Sequence, residues 1–270
     1  MQSSEIINYS ITEFEVKNRL IRDAIDYALL SIPFTFDRLG NRNLTKNIAN
    51  IAKGKFAENY FYHYCHNKNI IIDSESQTTP FYQIDKKDFL FKGIEWDLKN
   101  NYLQHDGDSL SHSAYLDQLA LIPNRGPWDQ WSKRHALHSP NSVGAGYLFT
   151  FMKKTDISTN LDFMKIIMNL QQKNFLLDLY EQYQGKQQYQ SPYEVATFWS
   201  KFHDLGPSYE FELSHFPTLI ITGVALKEDF PKFSTFKPSE VKSQYLRTII
   251  ENMGITIGEL RSFKEFAGVT

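Results

Sequence analysis

Cysteine is nearly absent from this chain of 270 residues. Cys65 stands alone, so no intramolecular disulfide framework can form, and a lone thiol suits a reducing compartment. Long apolar runs are missing too. No stretch of eighteen or more apolar residues occurs, and the polar start MQSSEIINYS has neither the basic nor the apolar region of a signal peptide, so the expectation is a soluble cytoplasmic protein with no membrane partner. Nor is there an excess of one charge. With 29 Lys and Arg against 31 Asp and Glu, the formal net charge is -2, and any contact with nucleic acid needs a local basic face. The chain also lacks a Gly-x-x-x-x-Gly-Lys-Ser/Thr phosphate loop, a Gly-x-Gly-x-x-Gly dinucleotide fingerprint and a Gly-x-Ser-x-Gly nucleophile turn. Their absence removes P-loop NTPases, dinucleotide-dependent oxidoreductases and serine hydrolases of that type.

What is present is enough apolar material, 41% of residues, to bury a substantial core, with no repeat or low-complexity linker to divide it. A single domain over 1–270 is expected. Helical spacing of Phe14, Leu20, Ala24, Ile25, Ala28 and Leu29 predicts a helix over 11–31, and Ile48 to Tyr64 predicts a second over 43–67 despite Gly54. Residues 69–73 are a short β-branched run. Strands are expected at 88–91 and 94–99, joined at Lys92-Gly93, and again at 146–152 and 217–225, the last apolar throughout as in a sheet covered on both faces. Further helices are predicted near 114–121 and over 160–184, 192–203, 238–253 and 257–266. This order gives an α/β fold with a central mixed sheet flanked by helices.

One stretch raises a question of chemistry: Lys86 to Asn101, KKDFLFKGIEWDLKNN, interleaves charges with Phe, Leu, Ile and Trp. Alternation along a strand places Glu95, Asp97 and Lys99 on one face and Ile94, Trp96 and Leu98 on the other. A turn at Lys92-Gly93 brings Asp88 onto the adjacent strand, where it can approach Asp97. Two converging carboxylates repel unless a cation lies between them, and hard oxygen donors suit Mg²⁺. A neighbouring lysine can position or help deprotonate a water, or neutralise charge developing on a phosphate. Together these are the parts of a phosphodiester hydrolase. The Asp/Glu-x-Lys triplet itself occurs four times, at Glu15, Asp85, Asp97 and Glu240. Only Asp97 combines alternating apolar partners, an acid on the preceding strand and a helical glutamate upstream; Glu15 and Glu240 fall in helical patterns, and Asp85 precedes a charged turn.

Over roughly residues 50–101 the chain resembles the PD-(D/E)XK nuclease superfamily. There, an acid and a following Asp/Glu-x-Lys lie on a hairpin of a central sheet, as Asp88, Asp97 and Lys99 do here, and Gly54-Lys55-Phe56-Ala57-Glu58 resembles the preceding helix whose glutamate points toward the metal site. Lys87 stands where the family customarily has proline, which leaves Asp85 as a competitor for the first acid. The resemblance implies a restriction-endonuclease-like core at about 44–155 plus 217–225, a helical accessory region at 156–215 and C-terminal helices at 238–266. It also implies a Mg²⁺-dependent endonuclease acting on DNA, with Mn²⁺ a substitute, of the type II restriction class. Asp88, Asp97 and the Leu98 carbonyl would bind metal, Lys99 would orient the attacking water, and Glu58 would hold a water or a second ion. Homodimerisation follows by analogy, since two sites are needed to cut both strands of a symmetric target.

Other groupings compete. Arg125, Trp128, Lys133 and Arg134, with Trp131 and His135, mix cations and aromatics in a loop context and could grip phosphates and stack on bases; equally, the tryptophans could pin the loop to the core. His63-Tyr64-Cys65-His66 offers zinc donors without a second cluster, and His203-Asp204 resembles the dyad of HD-type metal phosphohydrolases without its spaced partners. A non-catalytic nucleic-acid or protein-binding module, its hairpin charges merely paired, is the remaining alternative.

Overall fold

The computed structural model of the protein describes residues 5–35, 43–77, 79–83, 87–106, 109–126, 131, 145–155, 162–183, 190–241 and 243–269, with side chains of 154 and 155 excepted. Its centre is a five-stranded mixed sheet. The strands are β1 (Ile7–Tyr9), β2 (Phe89–Phe91), β3 (Ile94–Gln104), β5 (Ala145–Thr155) and β8 (Leu219–Leu226), in the order β1-β8-β5-β3-β2. The β3–β5 pair is parallel and the other pairs are antiparallel. A second sheet, antiparallel throughout, orders β4 (Leu119–Pro123), β10 (Asn252–Thr256) and β9 (Ser234–Phe236) as β4-β10-β9, and β6 (Met164–Ile167) pairs with β7 (Glu210–Leu213).

Two cores follow from the alternation of side chains along the central strands. On one face Trp96, Leu98, Leu148 and Ile221 pack with residues of α1 (Phe14–Ser31) and α2 (Leu44–Asn67). On the other, Leu103, Tyr147, Phe149 and Phe151 pack with Leu121, Ile122 and Ile255 of the three-stranded sheet. The central sheet is thus flanked by helices on one face and by a second sheet on the other. β8 is buried along nearly its whole length, which is why it reads as an unbroken apolar run. No helix among the described residues is long and apolar enough to cross a membrane.

The hairpin forms as expected. Lys92 and Gly93 both take positive φ, 52° and 72°, the left-handed pair that a two-residue turn needs to follow the strand twist. Glycine meets this without cost at the second position, and Lys92 is held by donating from Nζ to the Phe266 carbonyl at 2.6 Å. α2 starts where Asn43 accepts from the Lys46 N–H at 3.0 Å.

Several expected helices are absent or shorter. Around 114–121 the helix α3 spans only His112–Leu116, and the apolar run after it pairs as β4. Residues 164–167 form β6 before α4 begins (Leu170–Tyr183), while α5 (Val195–Asp204) lies close to its expected place. No helix occupies the described residues of 238–253: Glu240 lies in a turn, and β10 starts at Asn252. Beyond it only a 3-10 turn at 257–259 and α6 (Phe263–Ala267) are helical, so the predicted helices over 238–253 and 257–266 are corrected. Pro238 and the spacing of Val241, Leu246 and Ile250 imitate a helix start; burial of Val241 and Leu246 against the second core favours an extended path instead. The run 69–73 contributes one bridge, Asp73 to Leu90, rather than a strand.

Asp229 fastens the edge of this second layer. Its carboxylate, almost fully buried, accepts from the Leu226 N–H at 3.1 Å, Lys232 Nζ at 2.8 Å and Arg261 Nε at 2.6 Å. Burial pushes its pKa up, but the bonds from Arg261, Lys232 and Leu226 outweigh it and hold the group below its ordinary 3.8. A depressed folded pKa means that the contribution is present above the ordinary value and is lost as pH falls through the folded one. Asp229→Ala is therefore expected to destabilise by about 2 kcal/mol near neutral pH, and urea denaturation should show the gap to wild type closing in strong acid.

Candidate active site

β2 pairs only with Ile94–Trp96, so the edge of β3 from Asp97 onward is left uncovered by strand pairing on that side. Along that edge lies a cleft of about 410 Å³, walled by β3, α2, β4 and the segment 246–252. Each wall contributes polar groups. From β3 come Asp97, Leu98 and Lys99; from the approach to β2 comes Asp88; from α2 come Gly54 and Glu58, one turn apart on one face. Among the described residues no atom lies within 4 Å of where a Cβ on Gly54 would sit, which leaves the helix surface open there.

The hairpin fixes the two aspartates differently. Asp88 continues the ladder with its N–H donating to the Trp96 carbonyl at 2.9 Å, and its Oδ2 accepts from the Leu98 N–H at 2.5 Å. In an extended strand the N–H and C=O of one residue point to the same side, so the Leu98 carbonyl faces the same edge. Tyr62 of α2 donates to the Asp88 carbonyl at 2.8 Å and ties helix to hairpin. Asp97 and Lys99, two apart on the second-core face, form a hydrogen-bonded ion pair, and both residues are more than nine-tenths buried. Glu58 accepts from Lys55 Nζ at 2.7 Å, and Lys87 pairs with Glu95 beside the cleft.

Glu58, Asp88, Asp97, Leu98 and Lys99, five separate expectations from the sequence, are thus gathered around one cleft. The donor set is hard oxygen, of the chemical kind that Mg²⁺ takes. Among the described residues, however, no group of three or more His, Cys, Asp or Glu is clustered closely enough to hold a metal ion. Arg125 is half-buried beyond the end of β4 and does not line the cleft. Trp128, Lys133, Arg134 and the competing Asp85 lie outside the described residues. Trp131 itself packs in the core, on Tyr147, Phe230 and Phe233, with ring centroids 5.2–6.2 Å apart.

The rival groupings gain nothing. Cys65 is buried with its thiol pushed up by desolvation, and His63 Nδ1 lies 2.7 Å from the Tyr9 hydroxyl. His203 stacks on Trp199, with ring centroids 5.7 Å apart.

Sequence reasoning missed part of the cleft. Asn100 and Asn101 follow Lys99 on β3, and Arg247 and Thr248 come from the segment expected to be helical; all four line the cavity. Two consecutive asparagines inside an otherwise alternating strand were the available signal. Comparison with family models, curated proteins and solved structures finds no match to the chain.

Proposed function

We propose that the protein is a Mg²⁺-dependent endonuclease that hydrolyses DNA phosphodiester bonds, of the type II restriction class, with a PD-(D/E)XK-like site. The observation that carries this reading is the convergence of Asp88, Asp97, Lys99 and Glu58, from the approach to β2, from β3 and from a helix, on one cleft. Mg²⁺, held by Asp88, Asp97 and the Leu98 carbonyl, would supply Lewis-acid charge at the phosphoryl oxygens. The chain's own groups do the rest. Lys99 orients the attacking water and neutralises charge building on the phosphate, and Asp97 fixes the ammonium in place through their ion pair. Asp88 locks the hairpin by capping the Leu98 N–H. Glu58 holds a second water from the helix side. The water oxygen bonds to phosphorus as one ester P–O bond breaks; the proton the water gives up balances the one the leaving oxygen takes from solvent as it departs as a hydroxyl.

The competing reading is a non-catalytic binding module, favoured by the engagement of Asp97 with Lys99 and by the lack of a clustered metal-ligating group among the described residues. Digestion separates the two. Purified protein incubated with plasmid and phage DNAs of varied sequence is expected to linearise or fragment at least one of them with Mg²⁺ or Mn²⁺, and none with EDTA. Intact DNA across the panel in both metals would leave only the binding module. Cutting of both strands of a symmetric target by two copies of the chain belongs to the same proposal, and sedimentation on target DNA tests it.

A further inference from the structure

Beside the Asp97–Lys99 pair, residues lining the cleft carry polar atoms that no described residue satisfies. Asn100 Nδ2, Asn101 Nδ2 and Thr248 Oγ1 are each buried with no hydrogen-bond partner among the described residues, and all three residues line this one cavity. A buried donor left unpaired costs about 1–3 kcal/mol, so three in one place call for an explanation.

Their positions are fixed by design of the fold rather than left loose. The Asn100 Oδ1 is engaged by the fully buried Thr150 hydroxyl at 2.9 Å. Thr248, only 5% exposed, sits in an extended strap held by Leu246 N–H to Ser243 Oγ at 2.8 Å and by Ser239 N–H to the Thr248 carbonyl at 3.0 Å. Alternation along this strap buries Leu246 and Thr248 and exposes Arg247 and Ile249. Arg247 belongs to the same cavity lining, so beyond the Asp88–Lys99 end the wall carries asparagine, threonine and an arginine. Donors plus positive charge, with no added carboxylate from this strap, select a ligand made of acceptors.

We propose that Asn101, Arg247 and Thr248, on the second-sheet side of β3, form a binding site for a phosphate group, separate from the position served by Lys99. It depends on the nuclease reading only in the source of that phosphate: on that reading it is a backbone phosphate of DNA adjoining the one cleaved, and the site sets where the strand lies along β3. The unsatisfied atoms are then a cost borne by the free protein and recovered on binding.

That trade gives a test which a structural role would not pass. Thr248→Val keeps the side-chain shape and removes the unpaired hydroxyl, so without ligand the variant should melt about 2 °C higher than wild type. With Ca²⁺ in place of Mg²⁺ to hold off cleavage, fluorescence anisotropy of a labelled duplex should show affinity about fivefold or more weaker for Thr248→Val and for Asn101→Ala. Inorganic phosphate at millimolar concentration should raise the melting temperature of wild type and not that of Thr248→Val. A Thr248→Val that melts lower than wild type, or unchanged duplex affinity together with an unchanged phosphate shift in both variants, overturns the site while leaving cleavage by wild type, and with it the nuclease reading, intact. A phosphate shift lost in Thr248→Val in a protein that neither binds nor cuts DNA supports the site and removes the nuclease reading.

Discussion

Replacing Asp97 or Lys99 by alanine is expected to slow DNA cleavage by at least about a hundredfold, because on the proposed mechanism each change removes charge from the reacting phosphate, where such interactions are worth several kcal/mol. Each change also breaks a buried ion pair from one side. Breaking a buried pair from one side costs about 3–5 kcal/mol of stability, so loss of activity in a single variant has to be separated from loss of fold. The double variant Asp97→Leu with Lys99→Met does this. Exchanging both members for apolar residues removes both charges, and a buried pair replaced in this way is commonly neutral or stabilising. The double variant should therefore melt near wild type yet remain as inactive as either single one, since groups acting as one catalytic unit are not additive. Rates measured on plasmid DNA alongside thermal melts decide the matter. A well-folded double variant with near-normal cleavage would show that the pair is a structural element and nothing more.

The core that carries this pair was legible because its elements obey simple periods. α2 announces itself by Ile48, Ala52, Phe56 and Tyr60, and the hairpin by the turn pair Lys92-Gly93 followed by the alternation of Ile94 to Lys99. β5 and β8 are apolar because both faces of the sheet are covered. The second layer was not legible for the converse reason. β4 is a five-residue apolar run with no period of its own, and its strand identity comes from β10, more than a hundred residues away. The segment 238–250 has helix-like spacing, but pairing of Gln104 N–H with the Tyr245 carbonyl at 2.9 Å and burial of Leu246 draw it out along the cleft. The candidate site divides along the same line. Asp88, Asp97 and Lys99 lie in one local hairpin, so their convergence follows from alternation and one turn; Arg247 and Thr248 reach the cleft only through tertiary packing that overrides local pattern.

Trp96 is where the hairpin's position is set, and its removal is expected to cost as much stability as breaking the Asp97–Lys99 pair from one side. The indole is 1% exposed, stacks on Phe89 with ring centroids 6.2 Å apart, meets Phe266 edge-on at 5.1 Å and donates from Nε1 to the Phe91 carbonyl at 3.2 Å. Trp96→Ala should cost about 3–5 kcal/mol in urea denaturation, a large share of the stability of an ordinary domain. The ring also dictates the residue across the β3–β5 pair. Trp96 faces Gly146 in register, and a Cβ there would lie 2.6 Å from the indole. Gly146→Ala should therefore destabilise by about 1–3 kcal/mol, through overpacking rather than through backbone conformation. If that contact is the cause, the penalty must shrink when the ring does: in a Trp96→Phe background, Gly146→Ala should cost at least about 1 kcal/mol less than in wild type. Equal penalties in the two backgrounds would mean that something other than the indole keeps Gly146 bare. Because the Asp88 N–H bonds to the carbonyl of Trp96 itself, a ring forced aside by Gly146→Ala also shifts the strand that places Asp88, and cleavage should fall in Gly146→Ala and recover in part when Trp96→Phe is added.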